Sequence, residues 1–207
     1  ENNVKKRPDY LSDDHLSIGT KEYLKVLNSG TTPVESLPPK EARKVLEDAQ
    51  SSVGVDLSGI DEEEKIVEVD GFKIVLNITR PKDIKEKLPV FIFLHGGGWV
   101  LGDYPTHRRL VRDIVVESGF VSVFINYSRS PEAKFPQALD EIYAMTKWVS
   151  ENGDQINVDG KKLAVIGNSV GGNMTIATSM RAKQNKEPEI KCQILMWPYS
   201  NASTDAD

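Results

Sequence analysis

Hydrophobic and polar positions change their spacing along the 207 residues. From about residue 8 to 50 the chain is polar with helical periodicity, broken at Thr31-Thr32-Pro33 and Leu37-Pro38-Pro39. Proline removes a backbone donor there and pushes the preceding residue out of the helical region. Leu16, Tyr23, Leu24, Val26 and Leu27 give the first piece an apolar stripe, and Ala42, Val45, Leu46 and Ala49 give the second. Such stripes mark faces suited to docking on a core or, as a lid, on the body of the fold, and the sequence alone does not decide between them. From residue 63 the period shortens to two. Ile66-Val67-Glu68-Val69 runs through Asp70-Gly71, a pair suited to a tight hairpin, into the stretch 72–78. There Phe72, Ile74, Leu76 and Ile78 alternate with more polar neighbours, as in an antiparallel strand with one buried face.

Beyond residue 88, short apolar runs alternate with helical stretches. Candidate strands at 89–94, 120–126, 162–166 and 190–197 are nearly continuous in apolar residues, the composition of strands buried on both faces. Helical candidates lie near 105–118, 135–151 and 170–185, and Ala138, Leu139, Ile142, Met145 and Val149 trace one face of the middle one. An antiparallel start followed by repeated crossovers predicts an α/β fold. Its sheet is mixed, mostly parallel and six-stranded, with helices on both faces. A helical N-terminal segment, 1–58, precedes a core domain, 59–207. The acidic run Asp61-Glu62-Glu63-Glu64 reads as a solvated loop ahead of the first strand.

Composition narrows the partners. A net charge of −5 argues against nucleic acid or an anionic membrane, which call for clustered cations. The single cysteine, Cys192, excludes an intrachain disulfide, and within the apolar run 192–197 it reads as a buried, inert thiol. No apolar stretch approaches the roughly 20 residues of a membrane span, and Glu1-Asn2-Asn3-Val4-Lys5-Lys6-Arg7 has no signal-peptide core. The chain opens on Glu1 rather than Met, read as removal of upstream residues, and a cytoplasmic location is the default. Sequons at Asn77, Asn126, Asn173 and Asn201 are read as chance matches, since Asn126 and Asn173 fall in or beside core elements.

Two motifs carry chemistry. Gly167-Asn168-Ser169-Val170-Gly171 follows the apolar run 163–166 and opens a helix. This spacing sets a serine on a sharp strand-to-helix turn, with glycines where larger side chains would strike neighbouring backbone. Ser169 is the candidate nucleophile, at a helix start whose free N–H groups favour developing negative charge. The Val170 N–H is expected to point to the same place. His95-Gly96-Gly97-Gly98-Trp99 follows the run 89–94, and consecutive glycines let backbone amides approach a ligand closely. A Walker loop would need Gly-Lys-Ser/Thr, which is absent, and a dinucleotide fingerprint does not fit residues 96–102. The loop is therefore assigned to an oxyanion, where losing one donor costs about 100- to 1,000-fold in rate. His95 is read as bracing this turn, a supporting residue with Gly96, Gly167 and Gly171. His107 is assigned a structural role at a helix start, His15 carries no signal, and no histidine follows Ser169.

These segments, with Asn126-Tyr127-Ser128-Arg129-Ser130-Pro131-Glu132 and Phe135-Pro136, resemble the hormone-sensitive-lipase-like branch of the α/β-hydrolases from about residue 60 onward. The resemblance implies an eight-stranded sheet, an N-terminal helical cap over an acyl pocket, and a serine carboxylesterase acting on short- to medium-chain esters. It implies an acyl-enzyme on Ser169, an oxyanion hole from Gly97, Gly98 and Val170, and no metal or organic cofactor. Three positions depart from the family pattern. Asn168 stands where the family has an acidic residue, Val170 where it has Ala, and Arg129 one place later than the family's arginine. Length departs further: the triad Asp and His are expected beyond Asp207, because Asp205 and Asp207 come too early. The isolated chain is then expected to be nearly inactive, since losing a triad member costs about 10⁴- to 10⁶-fold. Expected partners are a small ester and either a C-terminal fragment or a second copy of the chain. The alternative is a non-catalytic small-ligand receptor resembling the gibberellin receptors, which keep the pocket and cap but lack the catalytic histidine.

Overall fold

The structure is a computed structural model that describes residues 10–29 and 32–201; Asp205 and Asp207 lie outside them. Two compact units meet in sequence between Ala42 and Arg43. In the first, helix α1 (Ile18–Leu27) starts at Ser17, whose hydroxyl accepts the Thr20 N–H at 3.1 Å and satisfies one of the free donors of the first turn. α1 buries none of its residues, and Tyr23, Val26 and Leu27 are exposed. Helix α2 (Pro39–Ser51) spans the boundary, and Val45 and Ala49 of its expected stripe are also exposed.

The second unit opens with the expected hairpin of β1 (Ile60–Val69) and β2 (Phe72–Pro81). Val69 faces Phe72 across a turn in which Asp70 and Gly71 take φ of 53° and 80°, a geometry whose twist matches that of the strands. The acidic run is not a loop. Asp61 to Glu64 lie inside β1, paired with Arg80 to Asn77, because an edge strand commits only its backbone to the ladder and leaves its side chains free. Glu62 accepts both nitrogens of an Arg108 fork and the Tyr104 hydroxyl. Arg108 holds the Glu62 carboxyl below the usual carboxylate range.

Strands β3 (Leu88–Leu94), β4 (Val121–Ile125), β5 (Val158–Asn168) and β6 (Cys192–Met196) complete a sheet of order β1-β2-β4-β3-β5-β6. β4, β3, β5 and β6 run parallel, while β2 meets β1 and β4 antiparallel. Helices α3 (Tyr104–Ser118), α4 (Gln137–Asn152) and α5 (Val170–Asn185) make the crossovers. Val90, Ile92 and Leu94 pack with Ile142, Met145 and Val149 of α4 and Met174 of α5, whereas Phe91 and Phe93 pack with Val111 and Val115 of α3. A strand apolar at every position serves both layers, so the helices cover both faces as expected. β6 departs from that expectation. It lies at the edge, its residues from Cys192 to Leu195 are exposed, and the Cys192 thiol is accessible rather than buried. Apolar composition gives a strand the capacity for burial, but a neighbour has to supply it. Among the described residues no helix is long and apolar enough to cross a membrane.

Topology brings the two motifs together. The chain leaves β3 for β4 and then crosses back to β5, so β3 and β5 are neighbours whose outgoing connections diverge. Such a switch point opens a crevice at the carboxyl ends of the strands. Leu94 is paired with Gly167 across that point, which sets the start of the glycine loop beside the start of the serine turn.

Candidate active site

Ser169 stands between β5 and α5 with φ 55° and ψ −121°, a conformation that costs a non-glycine residue roughly 1–3 kcal/mol and persists only when surroundings enforce it. The enforcing contacts are backbone ones. Ser169 N–H donates to the Met196 carbonyl at 3.0 Å, and the Ser169 carbonyl accepts from Tyr199 N–H at 3.0 Å and Asn173 N–H at 3.2 Å. The side chain does not cap α5. The flanking glycines let backbone layers touch: a Cβ on Gly171 would lie 2.0 Å from the Leu94 carbonyl oxygen, and one on Gly167 would lie 2.2 Å from that of Gly171. Val170 is buried at the first position of α5, where a backbone N–H has no acceptor within the helix.

The glycine loop folds against this turn. A Cβ on Gly96 would sit 3.1 Å from Ser169 Cβ and 2.9 Å from the Asn168 carbonyl oxygen, so no side chain fits between loop and serine. Gly97, Gly98 and Trp99 follow with φ of 120°, 63° and 61°. The Gly97 carbonyl closes the turn by accepting from Val100 N–H at 3.1 Å and Leu101 N–H at 2.8 Å. His95 is buried, with Nδ1 2.8 Å from the Gly96 carbonyl, and its ring stacks on Tyr127 with centroids 4.2 Å apart. Burial pushes its imidazole down to about 3, so this ring is neutral at physiological pH.

Several braces come from outside the serine turn and the glycine loop. The Tyr127 hydroxyl donates to the His95 carbonyl at 2.8 Å, and burial pushes that phenol far above its ordinary value. Glu141 is buried and accepts from Ser128 N–H and Oγ–H, both at 2.7 Å, and from Gln137 Nε2 at 2.8 Å. Arg43 donates to the Val100 carbonyl at 2.7 Å and the Ser130 carbonyl at 2.9 Å while forking onto Glu132. These groups hold the walls of a cavity of about 360 Å³ lined by Gly98, Trp99, Ser130, Phe135, Leu139 and Met174. Larger hollows, about 540 Å³ beside Arg80 and about 650 Å³ between α5 and β6, lie away from both motifs. Among the described residues no group of three or more His, Cys, Asp or Glu is arranged to hold a metal ion.

A doubly wound sheet with a strained serine and a glycine loop at its switch point defines a hydrolase-type scaffold. A family model described as alpha/beta hydrolase fold matches residues 91–207, more than half of the chain, which therefore belongs to that family. A solved esterase from Pseudomonas putida ECU1011 is 50% identical with a TM-score of 0.87, covering 89% of this chain and 58% of that one. Carboxylesterase NlhH of Mycobacterium tuberculosis is 33% identical over 141 residues, 68% of this chain and 44% of that protein. Ethyl acetate hydrolase of Pseudomonas putida is 27% identical over 194 residues, 87% of this chain and 60% of that protein. The expected likeness to carboxylesterases is thus found, and the chain spans about half the length of the curated relatives it matches.

Proposed function

We propose that this chain is the nucleophile-bearing part of a serine carboxylesterase that hydrolyses short- to medium-chain esters. The observation that carries the proposal is the enforced backbone of Ser169 with Gly96 packed against its Cβ, since a strained serine beside a glycine loop is the arrangement acyl transfer uses. Ser169 Oγ attacks the ester carbonyl carbon as an imidazole takes its proton. The amides of Gly97, Gly98 and Val170 hold the resulting oxyanion. Collapse expels the alcohol and leaves an acyl-enzyme, which water then hydrolyses. The cavity of about 360 Å³ beside Gly98 falls within the range of small-molecule sites and would take one arm of the ester. His95 is committed to the Gly96 carbonyl, and we assign the triad Asp and His to residues after 207. Residues 1–58 are assigned to the family's cap segment, and the location to the cytoplasm. The relatives described above carry the names of enzymes, which supports the esterase over the receptor alternative.

Hydrolysis of p-nitrophenyl acetate tests this proposal. The chain alone should turn over near background, and co-expression with its C-terminal portion should restore activity. Ser169→Ala in the restored protein should then remove about 10⁴- to 10⁶-fold. Turnover by the chain alone that disappears in Ser169→Ala would overturn the placement of the base. Restored turnover that survives the substitution would overturn the nucleophile.

A further inference from the structure

Asn168 touches both the glycine loop and α3, and the direction of its contacts is determined. A backbone N–H can only donate, so the Asn168 atom 2.9 Å from Gly96 N is the carbonyl oxygen Oδ1. That contact removes the usual ambiguity between the two ends of a side-chain amide. Nδ2 then faces His107 Nε2 at 3.4 Å. An amide NH₂ has no lone pair to offer, so the histidine nitrogen it meets is the unprotonated one. The ring proton belongs on Nδ1, which has two acceptors in reach: Thr106 Oγ1 at 3.0 Å and the Asp103 carbonyl at 3.2 Å.

The surroundings agree with an uncharged ring. His107 packs at 6.0 Å from Phe93, 6.3 Å from Phe124 and 5.5 Å from His95, centroid to centroid. Burial lowers its imidazole from the ordinary value. The ionisable groups facing it are His95, itself neutral, and Asp103, whose carboxylate caps α3 by accepting the Thr106 N–H.

We propose that Asn168 is a positioning residue whose amide ties the glycine loop to the serine turn and holds His107 as the neutral, Nδ1-protonated tautomer. A carboxylate at this position, as in the family pattern, would accept from Gly96 N–H and from a protonated Nε2 at once. It would place a negative charge beside the nucleophile. The amide keeps the loop contact and leaves that place uncharged, so an oxyanion formed on the loop meets no neighbouring negative charge from residue 168. This catalytic consequence rests on the esterase proposal, whereas the tautomer does not.

Long-range ¹H–¹⁵N spectra of the ¹⁵N-histidine-labelled protein test it, with His107→Gln identifying the signal among the three histidines. His107 should show protonated Nδ1 and bare Nε2, unchanged through about pH 6.5, the ordinary histidine midpoint. An Nε2–H tautomer, or an imidazolium titrating at that midpoint, would overturn the proposal without any variant. Asn168→Asp should put a proton on Nε2 at the same pH, and a ring that still carries a bare Nε2 would count against it. Asn168→Ala should speed hydrogen exchange at the Gly96 amide about 10-fold, the equivalent of one lost hydrogen bond; an unchanged rate would refute the tie. In the complete enzyme Asn168→Asp should add a titration to the pH profile of kcat. If the tautomer holds and that titration is absent, the catalytic consequence fails and the positioning role stands.

Discussion

β3 and β6 are written in similar residues and meet opposite surroundings. Val90 through Leu94 are at most 1% exposed, whereas Ile194 and Leu195 are 46% and 37% exposed. β3 lies between two strands and two helical layers, while among the described residues β6 has a neighbouring strand, β5, on one side only. Hydrophobic stabilisation follows the area removed from water, so strands of like composition contribute unequally. The site straddles this difference. The glycine loop hangs from β3, whereas the serine turn takes one of its backbone partners from Met196 of β6.

The largest effect that could break the contrast belongs to Gly171→Ala. Its methyl group would have to displace the Leu94 carbonyl from 2.0 Å, a clash with backbone whose cost lies beyond the about 1–3 kcal/mol typical of overpacking. Urea unfolding should register a loss of that order; a neutral outcome would mean that α5 does not press on β3. Phe93→Ala should come next, at about 3–5 kcal/mol for emptying a fully buried aromatic site. Ile194→Ala on β6 should cost about 1 kcal/mol or less, because little area is there to lose. Equal losses at the two positions would break the comparison. The smallest effect is at Cys192. Iodoacetamide should modify this thiol fully in the native protein and leave the unfolding midpoint unchanged, and a thiol that reacts only after unfolding would mean β6 is covered.

What could be read from the chain alone was whatever local spacing encodes. The runs at 89–94 and 162–166 became β3 and part of β5, and the helix expected near 105–118 begins one residue earlier at Tyr104. The Gly-X-Ser-X-Gly spacing carries its own sterics, as the contact of Gly167 with the Gly171 carbonyl shows. Burial was not legible where it depends on what lies alongside, which is why β6 was misread. β1 was cut short for a related reason: its acidic residues look like loop, yet their backbones pair. Arg43 meets Glu132 across 89 positions, a separation that leaves no periodic trace. Glu141 did leave one, a carboxylate between Ala138 and Met145 on the apolar face of α4, and buried acids of that kind are retained for the donors they satisfy.

The clasp of Met196 and Tyr199 on Ser169 has a thermal consequence. An exposed edge strand holds the strained backbone of Ser169, and fraying at a rim needs far less free energy than melting an interior. Once that rim loosens, the serine can relax to ordinary dihedrals while the central strands hold. Warming the chain should therefore speed hydrogen exchange at the Ser169 amide at temperatures where circular dichroism still reports intact helices.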